Sequence, residues 1–182
     1  MLLEEGSTSI PEKNCEIVLK ARNGKVYKKV NGRIDLKTGG LIFAANEQEL
    51  MFALPIEKII FDSCDAAVAG AVFKTGYPST DKNNDKSLYQ VLSEGKATLL
   101  KHHTLNWQDI IPFNTTNTTR IYTQVQQYYL YFTGKMFKLE KNKDKLVQLL
   151  PASNDYIIKN KLNLKKEEDA IKLVDYYNSL SF

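Results

Sequence analysis

Arginine, histidine, cysteine and tryptophan are all scarce in this chain of 182 residues. Arg22, Arg33 and Arg120 are the three arginines among 25 basic residues, and the formal net charge is +4. Arginine is the better bidentate reader of phosphates and base edges, so a lysine-rich, arginine-poor surface argues against nucleic-acid binding. Such lysines more often keep a protein soluble and protect sheet edges. Two cysteines, Cys15 and Cys64, are too few for a disulfide framework or a four-cysteine zinc site. No run approaches the roughly 20 apolar residues of a transmembrane helix. Phosphate-loop, G-x-S-x-G, H-E-x-x-H and dinucleotide fingerprints are missing. No catalytic residue, metal site or cofactor is therefore expected.

What is present is enough to fold. An apolar share of 43% supports a real core, and the length suits one domain or one domain with a small helical appendage. Residues 1–13, acidic and containing Gly6, Ser7 and Pro11, read as a flexible lead-in. Residues 14–182 read as a single β-rich domain whose end, from about 142, is helical. Met1-Leu2-Leu3 runs straight into Glu4-Glu5-Gly6-Ser7, without a visible signal peptide. Two readings follow: a cytoplasmic protein, or one whose signal peptide has been removed.

A period of two dominates the first three quarters. Val26, Val30, Ile34 and Leu36 alternate with polar residues, and Cys15, Ile17 and Leu19 form an upstream apolar row. Asn23-Gly24 between them is a strong hairpin signal, because both residues tolerate positive φ. Further strands are predicted at Leu41–Ala45, Glu49–Leu54, Lys58–Ser63, Val68–Lys74, Leu88–Ser93, Ala97–His102, Ile121–Phe132 and Met136–Glu140. Glu94-Gly95 and Thr133-Gly134 mark turns. Long loops are predicted over Gly76–Lys86 and about Thr104–Thr119, the second holding Trp107. From Asn142, a candidate N-cap, the period becomes helical: Leu146, Leu149 and Leu150 share a face that Pro151 stops. A short helix follows over Tyr156–Lys161, capped by Ser153-Asn154-Asp155. A longer one, Lys165–Leu180, carries Ala170, Leu173, Val174, Tyr177 and Leu180 on one stripe and acids in its first turn. Runs of strands followed by helices define an α+β class: a mainly antiparallel sheet of eight or more strands, as a sandwich or half-open barrel, with C-terminal helices.

Residues capable of chemistry have simpler explanations. Adjacent strand residues face opposite ways, so His102 and His103 are expected to be one buried and one exposed rather than joint metal ligands. Asp81, Asn83 and Asp85 open like an EF-hand loop, but Lys86 stands where glycine is needed and Leu92 where a bidentate glutamate is needed. Asn114-Thr115-Thr116 and Asn117-Thr118-Thr119 match the glycosylation pattern, which matters only in a eukaryotic secretory setting. Cys15 shares its row with Ile17 and faces inward. Ile59 and Phe61 are the inward pair of the later strand, which puts Cys64 outward unless the chain turns at Asp62-Ser63. Cysteines on opposite faces cannot reach the roughly 3.5–4.5 Å Cβ separation a disulfide needs, so the two are expected to be unpaired.

Tyrosine is the unusual feature. Tyr122, Tyr128, Tyr129 and Tyr131 crowd one strand whose apolar phase changes midway, so either a bulge shifts it or both faces are covered at that end. A central strand packed by the last helix explains this; an aromatic binding surface formed by Trp107, Tyr122, Tyr129 and Tyr131 is the functional alternative.

Tyr89-Gln90-Val91-Leu92, Gly95-Lys96, Leu99-Leu100-Lys101, Tyr128-Tyr129-Leu130-Tyr131 and Gly134-Lys135-Met136 resemble the middle of a group of uncharacterised proteins from Bacteroidota. Lys166-Glu167-Glu168-Asp169, Leu173-Val174 and Tyr176-Tyr177-Asn178 resemble the C-terminal helix of the same group. The resemblance covers about half the chain, from Tyr89 onward. It implies export to the periplasm or cell envelope and carries no established activity. The expected function is a non-enzymatic binding or interaction module of the bacterial envelope, with a protein or other envelope component as partner. A small apolar-ligand carrier with a cavity closed by the C-terminal helix, and a hydrolase without a motif, are the alternatives.

Overall fold

A computed structural model describes residues 2–66, 68–111, 113, 117–140 and 144–181. Eleven strands and three α-helices lie among them, so the fold is α+β with mainly antiparallel pairing. The chain forms two compact units, each assembled from two separate stretches. The first comprises residues 1–71 and 103–126; the second comprises 72–102 and 127–182. Reading the sequence as one domain does not reveal this division, because it depends on which distant strands meet.

In the first unit, strands β1 (Leu2–Glu5), β2 (Ser9–Ala21), β3 (Val26–Asp35), β4 (Gly40–Ala45), β5 (Gln48–Met51) and β6 (Ile56–Ser63) are joined by parts of two longer strands, β9 (Ala97–Ile110) and β10 (Thr118–Phe132). The order β6-β2-β3-β4-β5 is an antiparallel array. The Asn23-Gly24 turn forms as predicted: Gly24 has φ 84°, and the Asn23 side-chain oxygen accepts the Lys25 N–H at 3.1 Å. Asn46 and Glu47, at φ 49° and 60°, close the two-residue β4–β5 hairpin in the mirror-image turn that suits strand twist. Ile17, Leu19, Ala21, Ile34, Leu41, Ile59 and Phe61 are buried, each 2% exposed or less. Full burial of a side chain of this size stabilises by about 1.5–3 kcal/mol.

Three expectations for this unit are corrected. The first thirteen residues are not a loose lead-in: β1 pairs in parallel with β10 from Leu2↔Thr118 to Glu5↔Ile121, and β2 starts at Ser9. Gly6 makes the intervening turn at φ 95°, where a Cβ would lie 2.3 Å from the Tyr122 carbonyl oxygen. The stretch predicted as Val68–Lys74 begins as a turn. Val68 and Ala69 N–H groups donate to the Asp65 carbonyl, Gly70 takes φ 74°, and strand starts only at Val72.

The third correction concerns the cysteines, which form a disulfide, Cys15–Cys64, with Cα atoms 5.2 Å apart. Parity explains it. Ile17 pairs with Phe61 but Glu16 pairs with Ser63, so Asp62 is an extra residue in β6. Beyond that bulge the alternation is inverted, and the residue after Ser63 returns to the face of Cys15. Both cysteines are half-buried.

The second unit contains β7 (Val72–Lys74), β8 (Tyr89–Ser93), the first part of β9, the later part of β10, β11 (Lys135–Leu139), α1 (Lys145–Leu149), α2 (Asn154–Asn160) and α3 (Glu167–Ser179). Thr133 and Gly134, at φ 51° and 76°, make the predicted β10–β11 turn. One face of the strands contributes Leu99, Leu130 and Leu139 to a core with Leu146, Leu150, Leu164, Ala170, Leu173 and Val174. The opposite face contributes Leu100 and Tyr129 to a second cluster with Tyr77 and Tyr89. Both faces are covered, which accounts for the lost alternation in Ile121–Phe132.

Helix α3 is fastened at both ends. At its start, Glu167 pairs with Lys101 at 2.8 Å and accepts the Tyr128 hydroxyl at 2.6 Å. Near its end, the Asn178 amide accepts the Ala97 N–H at 2.8 Å and donates to the Ala97 carbonyl at 2.9 Å. Gly95 permits this approach, since a Cβ there would sit 2.6 Å from the Asn178 side chain. Helix α2 starts two residues before its predicted Tyr156, and Lys161 at φ 51° ends it. The Asn142 cap lies outside the described residues. No helix among the described residues is long and apolar enough to cross a membrane.

Candidate functional site

The four aromatic residues singled out in the sequence divide between the units. Trp107 and Tyr122 belong to the first; Tyr129 and Tyr131 belong to the second. The predicted loop around Trp107 is largely strand: β9 continues to Ile110 and β10 begins at Thr118. Its sequence lacks alternation because the last five residues of β9 are all exposed, so no row of side chains needs to be apolar.

Among the described residues of the first unit, large apolar side chains are exposed together at the end of β9 and the start of β10. Trp107, Ile110, Ile111 and Phe113 are 62%, 36%, 70% and 93% exposed. Leu2 and Leu3 of β1, also exposed, lie beside Thr118 and Thr119 of β10. Behind this end the charges are paired. Arg120 makes a bidentate contact with Asp109, Nε to Oδ1 at 2.7 Å and Nη2 to Oδ2 at 2.8 Å, and its guanidinium stands 5.6 Å from the Trp107 ring centre. That contact holds the Asp109 carboxyl below the usual carboxylate range. Lys37 donates to Glu4 at 2.5 Å and lies 4.6 Å from the centre of the Tyr122 ring, while the Tyr122 hydroxyl donates to Glu4 at 2.9 Å. Lys37 first, then Tyr122, lowers the Glu4 carboxyl. Sequence reasoning overlooked Ile110, Ile111 and Phe113 because Asn and Thr residues made the segment look polar. The signal was the apolar run itself, following Asp109.

Tyr129 is not a surface residue: it is 2% exposed. Edge-on ring contacts link Tyr77 to Tyr89 at 5.5 Å, Tyr77 to Tyr131 at 5.4 Å and Tyr89 to Tyr129 at 5.5 Å. Such pairs add about 0.5–1.5 kcal/mol each beyond burial. The Tyr129 hydroxyl accepts from the Asn83 amide at 3.2 Å and donates to Asp81 at 3.4 Å, and Asp81 pairs with Lys138 at 3.0 Å. The EF-hand-like rhythm is thus used to fasten the Gly76–Lys86 loop onto the tyrosines. Among the described residues, no group of three or more His, Cys, Asp or Glu is placed to hold a metal. His102 stacks at a tilt 5.1 Å from Tyr89, and burial lowers its pKa. Both histidines are half-buried, so the expected contrast of one buried and one exposed is not seen.

A polar cleft of about 510 Å³ in the first unit is lined by Gly6, Ser7, Thr8, Ser9, Glu12, Arg33 and Asp35. Two of its charged residues, Arg33 and Asp35, are already engaged. Arg33 pairs with Glu49 and donates to Asn14 at 2.7 Å; Asp35 accepts the Lys37 N–H, the Thr38 N–H and the Thr38 hydroxyl. Of the two glycosylation patterns, Asn114-Thr115-Thr116 lies outside the described residues, and the second runs from half-buried Asn117 into the start of β10. The chain matches no protein-family model, no curated protein and no solved structure.

Proposed function

We propose that this protein is a non-enzymatic binding module of the bacterial cell envelope, and that it binds through the outer end of β9 and β10. The observation that carries this reading is the exposure of Trp107, Ile110, Ile111 and Phe113 within seven residues of chain. Apolar groups gathered this way lose water on binding, and such patches mark interaction surfaces. The Arg120–Asp109 contact links the two strands beside Trp107. The Cys15–Cys64 disulfide supports an oxidising location, as does the resemblance to exported Bacteroidota proteins.

Photo-crosslinking tests the proposal. A benzophenone amino acid replaces Phe113 in one variant and Ile158 in another, both exposed positions, with Ile158 in α2 as the control. Each variant is irradiated with envelope fractions. Adducts with protein or lipid at position 113, and none at 158, are expected. Absence of adducts at 113, or equal labelling at both positions, refutes it.

A further inference from the structure

Resting on that reading, we infer that the partner of this end is the interfacial zone of a lipid bilayer, entered by Ile110, Ile111 and Phe113. The first argument is directional. Trp107 and Ile110 are three residues apart in β9, so their side chains leave opposite faces. Both are exposed. Leu2 and Leu3, consecutive residues of β1, are likewise both exposed. A protein docking on one face would leave the other apolar row in water. Hydrocarbon surrounds an inserted end and covers both rows.

The second argument is the sequence of chemistry along the strands. Trp107 lies three residues behind Ile110, roughly 10 Å at strand spacing. Asp109 stands next to Ile110, so only the tip enters: the Arg120–Asp109 pair meets the headgroups and Trp107 follows in the interface, where amphipathic aromatics concentrate. Tyr122, with its hydroxyl on Glu4, belongs to the same collar.

The third argument is charge. The cations of the collar are paired, Arg120 with Asp109 and Lys37 with Glu4. An ion pair approaches a zwitterionic surface without a net field, so attachment is apolar and insensitive to salt and to anionic lipid.

Trp107 is the single tryptophan and reports insertion directly. The full chain is mixed with phosphatidylcholine vesicles, with and without phosphatidylglycerol, at low and high salt. A blue shift of Trp107 emission and co-flotation with both vesicle types at both salts are expected. Ile111→Asp/Phe113→Asp should lower partitioning by at least about ten-fold, with melting unchanged, because each side chain loses its buried apolar area. Flotation that requires phosphatidylglycerol and vanishes in salt overturns the inference, and so does a failure to float. If vesicles fail but Phe113-site adducts with a protein form, the lipid inference falls and the binding module stands. A dimer dissociated by Ile111→Asp/Phe113→Asp, without vesicle binding, assigns the surface to a second copy instead. If neither adducts nor vesicle binding occur, both readings fall.

Discussion

Removing the disulfide should be costly. Cys15 and Cys64 are 49 residues apart in sequence, and the loop-entropy relation gives about 4 kcal/mol at 25 °C for a ring of that size. That is a large fraction of the roughly 5–15 kcal/mol by which domains are stable. For a chain in this size range each kcal/mol moves the midpoint by about 2–4 °C, so Cys15→Ser/Cys64→Ser should melt about 8–16 °C lower. Circular dichroism against temperature measures the shift, and urea titration should show a lower midpoint with little change in slope unless the denatured state expands. The bulge itself is open to test. Deleting Asp62 removes the extra residue that inverts the alternation and should leave two titratable thiols after denaturation without reductant. A double serine variant that melts within about 2 °C of the parent would refute the entropic argument. A parent chain with the mass of two free thiols would refute the pairing and, with it, the parity argument.

The C-terminal helix and the half-buried histidine offer two further checks. Leu173 is fully buried in the core that α3 shares with Leu99 and Leu130, so Leu173→Ala should destabilise by about 2–5 kcal/mol; an unchanged denaturation midpoint would show that the helix is not part of the core. Burial holds His102 below its ordinary pKa of about 6.5, so the unfolded chain binds the proton more readily than the folded one. The stabilisation from neutral His102 is full above about pH 6.5 and is lost as pH falls from there through the folded value. His102→Gln should flatten stability against pH in that window, and a slope identical to the parent's would refute the assignment.

The elements with a strong local signal were legible in the sequence. Val26–Asp35, the Asn23-Gly24 and Thr133-Gly134 turns, and the Ala170, Leu173, Val174 stripe depend on alternation, φ and helical period, all of which act over a few residues. What escaped depends on distant partners. The Asp62 bulge exists because of how β6 meets β2. β1 is held by parallel pairing to β10, and Leu2-Leu3-Glu4-Glu5 has no alternation to announce it. Tyr129 was placed on a surface because nothing in its own strand shows that Tyr77 and the Asp81–Asn83 loop cover it. Trp107 and Tyr122 do share a unit with the apolar end of β9, but Ile110, Ile111 and Phe113, its most telling residues, were masked by their polar neighbours.

The Asn178 amide, which meets both backbone groups of Ala97, guards as well as fastens. A backbone N–H and C=O left without partners beside a core cost about as much as the hydrogen bonds they lose. The side-chain amide of a helix fills that place with the donor and acceptor of a peptide group. Loss of α3 would therefore orphan both backbone groups of Ala97 at the same moment as it bares Leu99 and Leu130, so the last residues of the chain protect the start of β9 as well as the core.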